Sequence, residues 1–365
     1  MRPKPFFSPE LMAAAVFVIL TLCFSSRAAE SLTGFINVFA VPTAEEENSC
    51  VSDEPSENSS IKEKPVWGKD KSKDKTENKS DYSTPEDILD FEQEYLKTYS
   101  SEKAYGTVNE KFFINDAATF SQGNIAVRNT TKQEPDFAKL LENGFESGIE
   151  NKAEPTVLIF HTHTTEGYLL SDNGVYYKDY KTRSLDPLKS IVRVGDAICD
   201  ELQKNGIGVI HDTVVYDSAY NGAYGRSREG ILKYLKEYPS IKIILDIHRD
   251  AIYSSGNSAI KPTAVINGKK AAQIMIITGA EEGSITDFPD WEKNLGFALS
   301  LQSAVQNKYE GLMKPVFFCP RKYNMDITPC SLLLEFGSDT NTLEEAVYSG
   351  HLFGDALSEL INENS

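Results

Sequence analysis

Residues 156–168 read TVLIFHTHTTEGY and residues 241–250 read IKIILDIHRD, two apolar runs that each lead into histidine and acid. Runs this apolar, bounded by turn residues, suit strands covered on both faces by helices. Working outward, similar runs occur at Gly208–Val215, Thr263–Ile266, Gln273–Thr278 and Ser331–Phe336. Segments of helical period stand between them. Ser184 or Asp186 can cap a helix with Pro187 at its first position. Its stripe is Ile191, Val192, Ile198 and Leu202, and Asn205-Gly206 closes it. A second helix starts near Asp290 and buries Trp291, Leu295, Ala298, Leu299 and Val305. A third starts at Asn341 or Thr342, with Glu345 completing a capping box. The alternation predicts one α/β sheet domain over residues 106–365.

The chain has 365 residues, with 37 Lys+Arg against 54 Asp+Glu and a formal net charge of −17. Phosphate affinity needs a basic face, so the acid excess argues against a nucleic-acid binder. Arg2 and Lys4 precede the apolar run Leu11–Phe24, and a small-x-small exit follows at Ser26–Ala28. Residues 1–30 therefore read as an export signal or, if uncleaved, an N-terminal membrane anchor. The run is shorter than the ~20 apolar residues of a full span. Either way the rest of the chain is expected outside the cytoplasm. Residues 31–105 read as a polar tether, because 42–80 hold no Leu, Met or Phe and cannot offset their ordering entropy by burial. A short helix over Pro85–Tyr99 interrupts it. Five cysteines are too few and too scattered for a disulfide scaffold, and spacing leaves open whether Cys319 and Cys330 pair.

His161 and His163 directly follow the strand TVLIF, His248 ends the strand IKIILDI, and Glu335 lies near the end of SLLLEF. If these strands are parallel neighbours, all three segments converge on the sheet edge where ligands gather. His163-x-x-Glu166 offers an imidazole and a carboxylate from one loop, and His248 adds a second imidazole. Three N/O ligands with a fourth position left to water make a catalytic zinc set, although the same donors accept iron or manganese. His161 is the alternate to His163, or a donor supporting the ligands. Glu335, unbonded to the metal, suits a general base, since a buried carboxylate is costly without a partner or a task. Set against this, histidines at strand ends commonly serve structure alone, the reading taken for His211 and His351. Arg249 and Asp250 orient His248, bind a substrate carboxylate or form a buried ion pair. Cys330 reads as a small core hydrophobe.

The stretches VLIFHTHTTEGY (157–168), RSLDPLKSIVRVGDAICDEL (183–202), PTAVINGKKAAQIMIITG (262–279) and SLLLEFGSDTNTLEEA (331–346), in this order, resemble the stage II sporulation protein P family. The resemblance implies the three-layer α/β/α fold of zinc amidases and zinc carboxypeptidases, with a mixed, largely parallel sheet. It implies a zinc N-acetylmuramoyl-L-alanine amidase with an added endopeptidase activity, remodelling septal peptidoglycan during engulfment in sporulation. The implied partners are the lytic transglycosylase stage II sporulation protein D and the membrane protein stage II sporulation protein M. His163, Glu166, His248 and Glu335 fall in the order of the ligands and catalytic acid of such enzymes. One departure is the short His-x-x-Glu spacing, which is similar to the carboxypeptidases, whereas related wall amidases place the ligand Glu further on. Tyr168, Tyr176, Tyr177 and Tyr323 either line a glycan groove or pack the core. The rival readings are a catalytically silent wall-binding scaffold and a zinc peptidase acting only on stem peptides.

Overall fold

The computed structural model describes residues Tyr82–Ser365. The signal or anchor segment 1–30, and the tether as far as residue 81, lie outside the described residues. Among the described residues no helix is long and apolar enough to cross a membrane. The elements are α1 (Glu86–Tyr99), β1 (Gly106–Lys111), β2 (Phe120–Gln122), β3 (Ile125–Asn129), α2 (Phe137–Asn143), β4 (Pro155–Phe160) and β5 (Val175–Tyr176). There follow α3 (Val192–Lys204), β6 (Gly208–His211), α4 (Ala223–Glu237), β7 (Ile243–Asp250), β8 (Tyr253–Ser254), β9 (Ser258–Ile266) and β10 (Lys269–Ala272). The chain ends with β11 (Ile274–Gly279), α5 (Trp291–Lys308), β12 (Val316–Cys319), β13 (Cys330–Ser338) and α6 (Leu343–Glu363).

The main sheet has eight strands in the order β2-β3-β12-β11-β13-β7-β4-β6. All its neighbours run parallel except β2–β3 and β11–β13, so it is mixed and largely parallel, as expected. Alternation along the strands sends side chains to two apolar layers. Val157, Ile159, Leu245, Ile247, Leu334 and Phe336 share one core with residues of α3, α5 and α6. Leu158, Phe160 and Ile244 pack with Ile231 of α4 on the other side. Helices on both faces make the three layers. A second sheet, β10-β9-β1-β5 with β8 on β9, was not anticipated. Its β1, GTVNEK, is mostly exposed and carries little of the apolar signal by which strands are read.

The folded body begins before residue 106. Ile88 and Tyr95 of α1 are buried, and Asp87 pairs with Arg193 of α3 at 3.3 Å. The capping box of α6 forms as expected: Thr342 Oγ1 accepts from Glu345 N at 3.2 Å, and Glu345 Oε2 accepts from Thr342 N at 3.1 Å. Pro187 instead opens a short 3₁₀ turn capped by Asp186, and α3 starts at Val192. Helices α3 and α6 cross closely, because a Cβ at Gly350 or Gly354 would stand 2.9 Å from the carbonyl of Val194 or Ile198. Cys199, Cys319 and Cys330 are free and buried, so Cys319 and Cys330 do not pair.

Candidate active site

Strands β4, β7 and β13 are parallel neighbours, so their C-terminal ends open on one edge. Glu335 stands in register with His248. The loop after β4 brings His163 and Glu166 to the same place. Together these four side chains line one cavity of about 170 Å³, with Arg183, Arg249, Tyr220, Tyr224 and Tyr323 among its other walls. Three chain segments far apart in sequence thus meet as the strand order requires.

The loop HTHTTEG is held by its threonines. Thr162 donates to Asp246 from N (2.8 Å) and Oγ1 (2.7 Å), and Thr165 donates to Asp217 from N (3.2 Å) and Oγ1 (2.6 Å). Thr164 Oγ1 lies 2.7 Å from His161 O and 2.8 Å from Val214 O. Such local side-chain bonds fix an irregular segment that sheet pairing cannot. Glu166 Oε2 accepts from Arg249 N at 3.2 Å and lies 3.3 Å from His248 Nδ1. Burial works to raise the Glu166 pKa, but the charge of Arg249 and the bond to His248 outweigh it and hold the carboxyl well below its usual range. His163 stacks on Tyr220 with ring centroids 4.7 Å apart, and its ring lies 5.5 Å from that of His248. Burial pushes His163 below its ordinary pKa and so favours the neutral imidazole. His163 Nδ1 is sealed from solvent and has no hydrogen-bond partner.

Glu335 as a residue is partly open to the cavity, while its Oε2 is sealed and unpartnered. Burial, and after it the charge of Asp250, pushes its carboxyl up to about 8. Asp246 approaches His248 from the side away from Glu166, with Oδ1 2.8 Å from Nε2, though the contact lacks the alignment of a hydrogen bond. Burial works to lower the His248 pKa, but Asp246 and Glu166 outweigh it and raise it well above the ordinary value, so a cation at this site would displace a proton from that ring. A neutral His163 with an orphaned ring nitrogen, an ionised Glu166 and the His248 ring beside it suit a divalent cation. Among the described residues, the acidic and imidazole donors already within 4.8 Å of one another are Glu110, Asp172 and Glu345, away from this cavity. The His163, Glu166 and His248 donors are spread wider than that. The tighter trio is no vacancy, because Lys261 Nζ sits within it at 3.1, 2.7 and 2.7 Å.

Two candidates take other parts. His161 Nδ1 lies 2.9 Å from Ile247 O and Nε2 lies 2.8 Å from His211 Nε2, whose ring in turn reaches Asp196 at 3.1 Å. Both its nitrogens are engaged away from the cavity, so the geometry sets it aside as the alternate to His163. Gly195 of α3 makes room for the pair, since a Cβ there would stand 2.4 Å from His211 Nε2 and 2.8 Å from His161 Nε2. Arg249, read as a possible substrate contact, is 8% exposed and donates from Nε to Gly167 O (3.1 Å) and from Nη2 to Thr182 O (3.0 Å). It holds the loop, the third of the readings open to it.

The family model described as Stage II sporulation protein P (SpoIIP) matches residues 29–358. The chain belongs to that family. A stage II sporulation protein P from Bacillus subtilis (strain 168) is 30% identical over 216 residues, covering 56% of this chain and 50% of the relative. The match thus spans about half the length of that relative. Among solved structures, the CwlD amidase from Clostridioides difficile in complex with the GerS lipoprotein is 14% identical, with a TM-score of 0.36 over 58% of this chain and 98% of its own. The N-acetylmuramyl-L-alanine amidase Ami1 from Mycobacterium smegmatis is 11% identical, with a TM-score of 0.34 over 59% of this chain and 98% of its own. These two likenesses are slight. Arg183, Asp217, Tyr220 and Tyr224 also stand at the site or brace its loop, and nothing in the sequence marks them. Only Asp246 carried a signal, its place two residues before His248 putting both on one face of β7.

Proposed function

We propose that this SpoIIP chain is a zinc-dependent N-acetylmuramoyl-L-alanine amidase that cleaves stem peptides from the glycan strands of peptidoglycan during wall remodelling in sporulation. The observation that carries the reading is the meeting of His163, Glu166, His248 and Glu335 around one cavity, with His163 Nδ1 and Glu335 Oε2 left without partners. His163, Glu166 and His248 would hold the cation, which when bound polarises a carbonyl and makes water a nucleophile near neutral pH. Glu335 takes the proton of the attacking water and passes it to the departing alanine nitrogen. Its burial favours the protonated form that carries the proton between the two transfers, and the charge of a bound cation would favour the ionised form that accepts it. Arg249 and the three threonines keep the His163–Glu166 loop in place. The stage II sporulation proteins D and M stand as proposed partners, on the family resemblance alone.

Digestion of purified sacculi tests this reading. The expected products are intact stem peptides and glycan free of peptide, with zinc bound in a one-to-one ratio. Glu335→Gln should keep its zinc and lose about a hundredfold to ten-thousandfold in rate. Products cut only within the stem peptide would make it a peptidase, and binding to the wall without release would make it a scaffold.

A further inference from the structure

Across two chain segments from the catalytic cavity lies a second depression of about 270 Å³, whose walls include Tyr105, Tyr176, Tyr180 and Tyr253, with Lys181 and Thr182 beside them. Two segments line both. One gives Thr182 to the second depression and Arg183 to the catalytic cavity; the other gives Asp250 and Ala251 to the cavity and Tyr253 to the depression. The partition is fixed by hydrogen bonds. Arg249 Nη2 donates to Thr182 O at 3.0 Å, Asp339 N donates to Asp250 O at 2.8 Å, and Tyr253 Oη donates to Asp339 Oδ2 at 2.6 Å.

The tyrosines form a row of edge-to-face rings. Tyr105 and Tyr176 have centroids 5.7 Å apart at 73°, and Tyr176 and Tyr253 6.0 Å apart at 72°. Tyr105 is 46% and Tyr253 38% exposed, so these faces do not serve the core. By contrast Tyr168 is wholly buried, its Oη donating to Phe336 O, and Tyr177 is 8% exposed. Of the tyrosines weighed for a glycan groove, Tyr176 and the largely buried Tyr177 line this cleft, while Tyr168 and Tyr323 do not. Concave walls of flat apolar faces, edged by hydroxyls and an ammonium, complement a pyranose, which has an apolar C–H face and a polar rim.

We propose that this tyrosine cleft is the subsite for the muramoyl sugar of the glycan strand. The proposal rests on the amidase reading, in which the scissile carbonyl is joined to the sugar ring only through the lactyl carbon and its ether oxygen. The ring must therefore lie beside the catalytic cavity, and this depression shares two wall segments with it.

The test is titration of the zinc-loaded full chain in the Glu335→Gln background with glycan strands stripped of stem peptides, and separately with free stem peptide. Tyr105→Ala, at an exposed position, should weaken stripped-glycan binding roughly fivefold, and Tyr105→Phe should restore it. Stem-peptide binding should not change, and thermal melts should match the parent. Equal glycan affinity in parent and Tyr105→Ala, no glycan binding by the parent, or a loss confined to the stem peptide would each overturn the proposal. Failure of the amidase reading shows separately, as glycan binding that depends on Tyr105 in a protein whose wild-type form releases no stem peptide.

Discussion

Two carboxylate clusters in this molecule answer the same electrostatic problem in opposite ways. In one, Glu110, Asp172 and Glu345 surround Lys261 Nζ, and Lys270 Nζ adds a further bond to Asp172 at 2.6 Å. Burial works to lower the Lys261 pKa, but Glu345 and Asp172 outweigh it and raise it. The cation is part of the chain, and the cluster is closed. In the other, Glu166, Asp246, Asp250 and Glu335 gather near His163 and His248, where Arg249 and Lys314 offset part of the charge. Yet sealed donor atoms there still lack partners and border a cavity. Buried polar groups left in this state are retained for a reason other than stability. An acid cluster thus points to function only where the chain has not already neutralised it.

The sharpest way to break this contrast is Lys261→Met. Removing one partner of a buried ion pair leaves the other uncompensated, so the variant should lose about 3–5 kcal/mol of unfolding free energy in urea titration. Added zinc should not restore it, because the acids facing Lys261 lack imidazole or thiolate partners. Recovery of full stability with zinc would show that the first cluster is a metal site after all.

At the second cluster the pH dependence has a definite sign. In the unfolded chain the Glu335 carboxyl ionises near 4.5, and in the fold near 8. Between those values the folded state holds the extra proton, so this group's contribution to stability falls as pH rises through the window. Metal-free Glu335→Gln should therefore match the parent at pH 4 and melt several degrees higher at pH 9. A parent that gains on the variant towards pH 9 would contradict the burial of that carboxyl.

A smaller effect is expected at Asp246. Its Oδ1 faces His248 Nε2, while Thr162 donates to both its oxygens, so it is a positioning residue that leaves His248 Nδ1 turned towards Glu166. Asp246→Asn should weaken zinc affinity 10- to 100-fold in chelator competition, with the fold intact. Unchanged affinity would make the Asp246–His248 contact incidental.

What could be read from the sequence follows from what each signal depends on. The strands β4, β7, β11 and β13 are apolar on both faces, and that pattern needs no partner to be seen. Parallel pairing then sends His163, His248 and Glu335 to one edge without further information. Helix α4 escaped notice because Ala223, Ser227 and Ile231 are its only buried positions, too sparse a stripe amid charged residues. The role of His161 was hidden for a different reason. In HTH, alternation at a strand end does not say which ring turns to the cavity, and the deciding partner, His211, lies fifty positions away on β6. The tyrosine cleft likewise draws on β5, β8 and the residue just before β1, elements whose short or exposed strands leave no periodic trace.

The smallest of these effects concerns Glu345, which belongs at once to the closed cluster and to the cap of α6. Its Oε1 meets Lys261 Nζ at 2.7 Å, while Oε2 accepts from Thr342 N at 3.1 Å and from Asn341 Nδ2 at 2.9 Å. Thr342→Ala removes only the return half of the box, the Oγ1 that accepts from Glu345 N, and should cost about 1 kcal/mol. Groups that share a partner do not add, so the double variant with Lys261→Met should depart from the sum by at least about 0.5 kcal/mol. Without Lys261 the Glu345 carboxylate is free to turn outward to water, and the cap then has less to lose. Strict additivity would mean that the box and the ion cluster hold Glu345 independently, and that Lys261 braces the second sheet without bearing on how α6 begins.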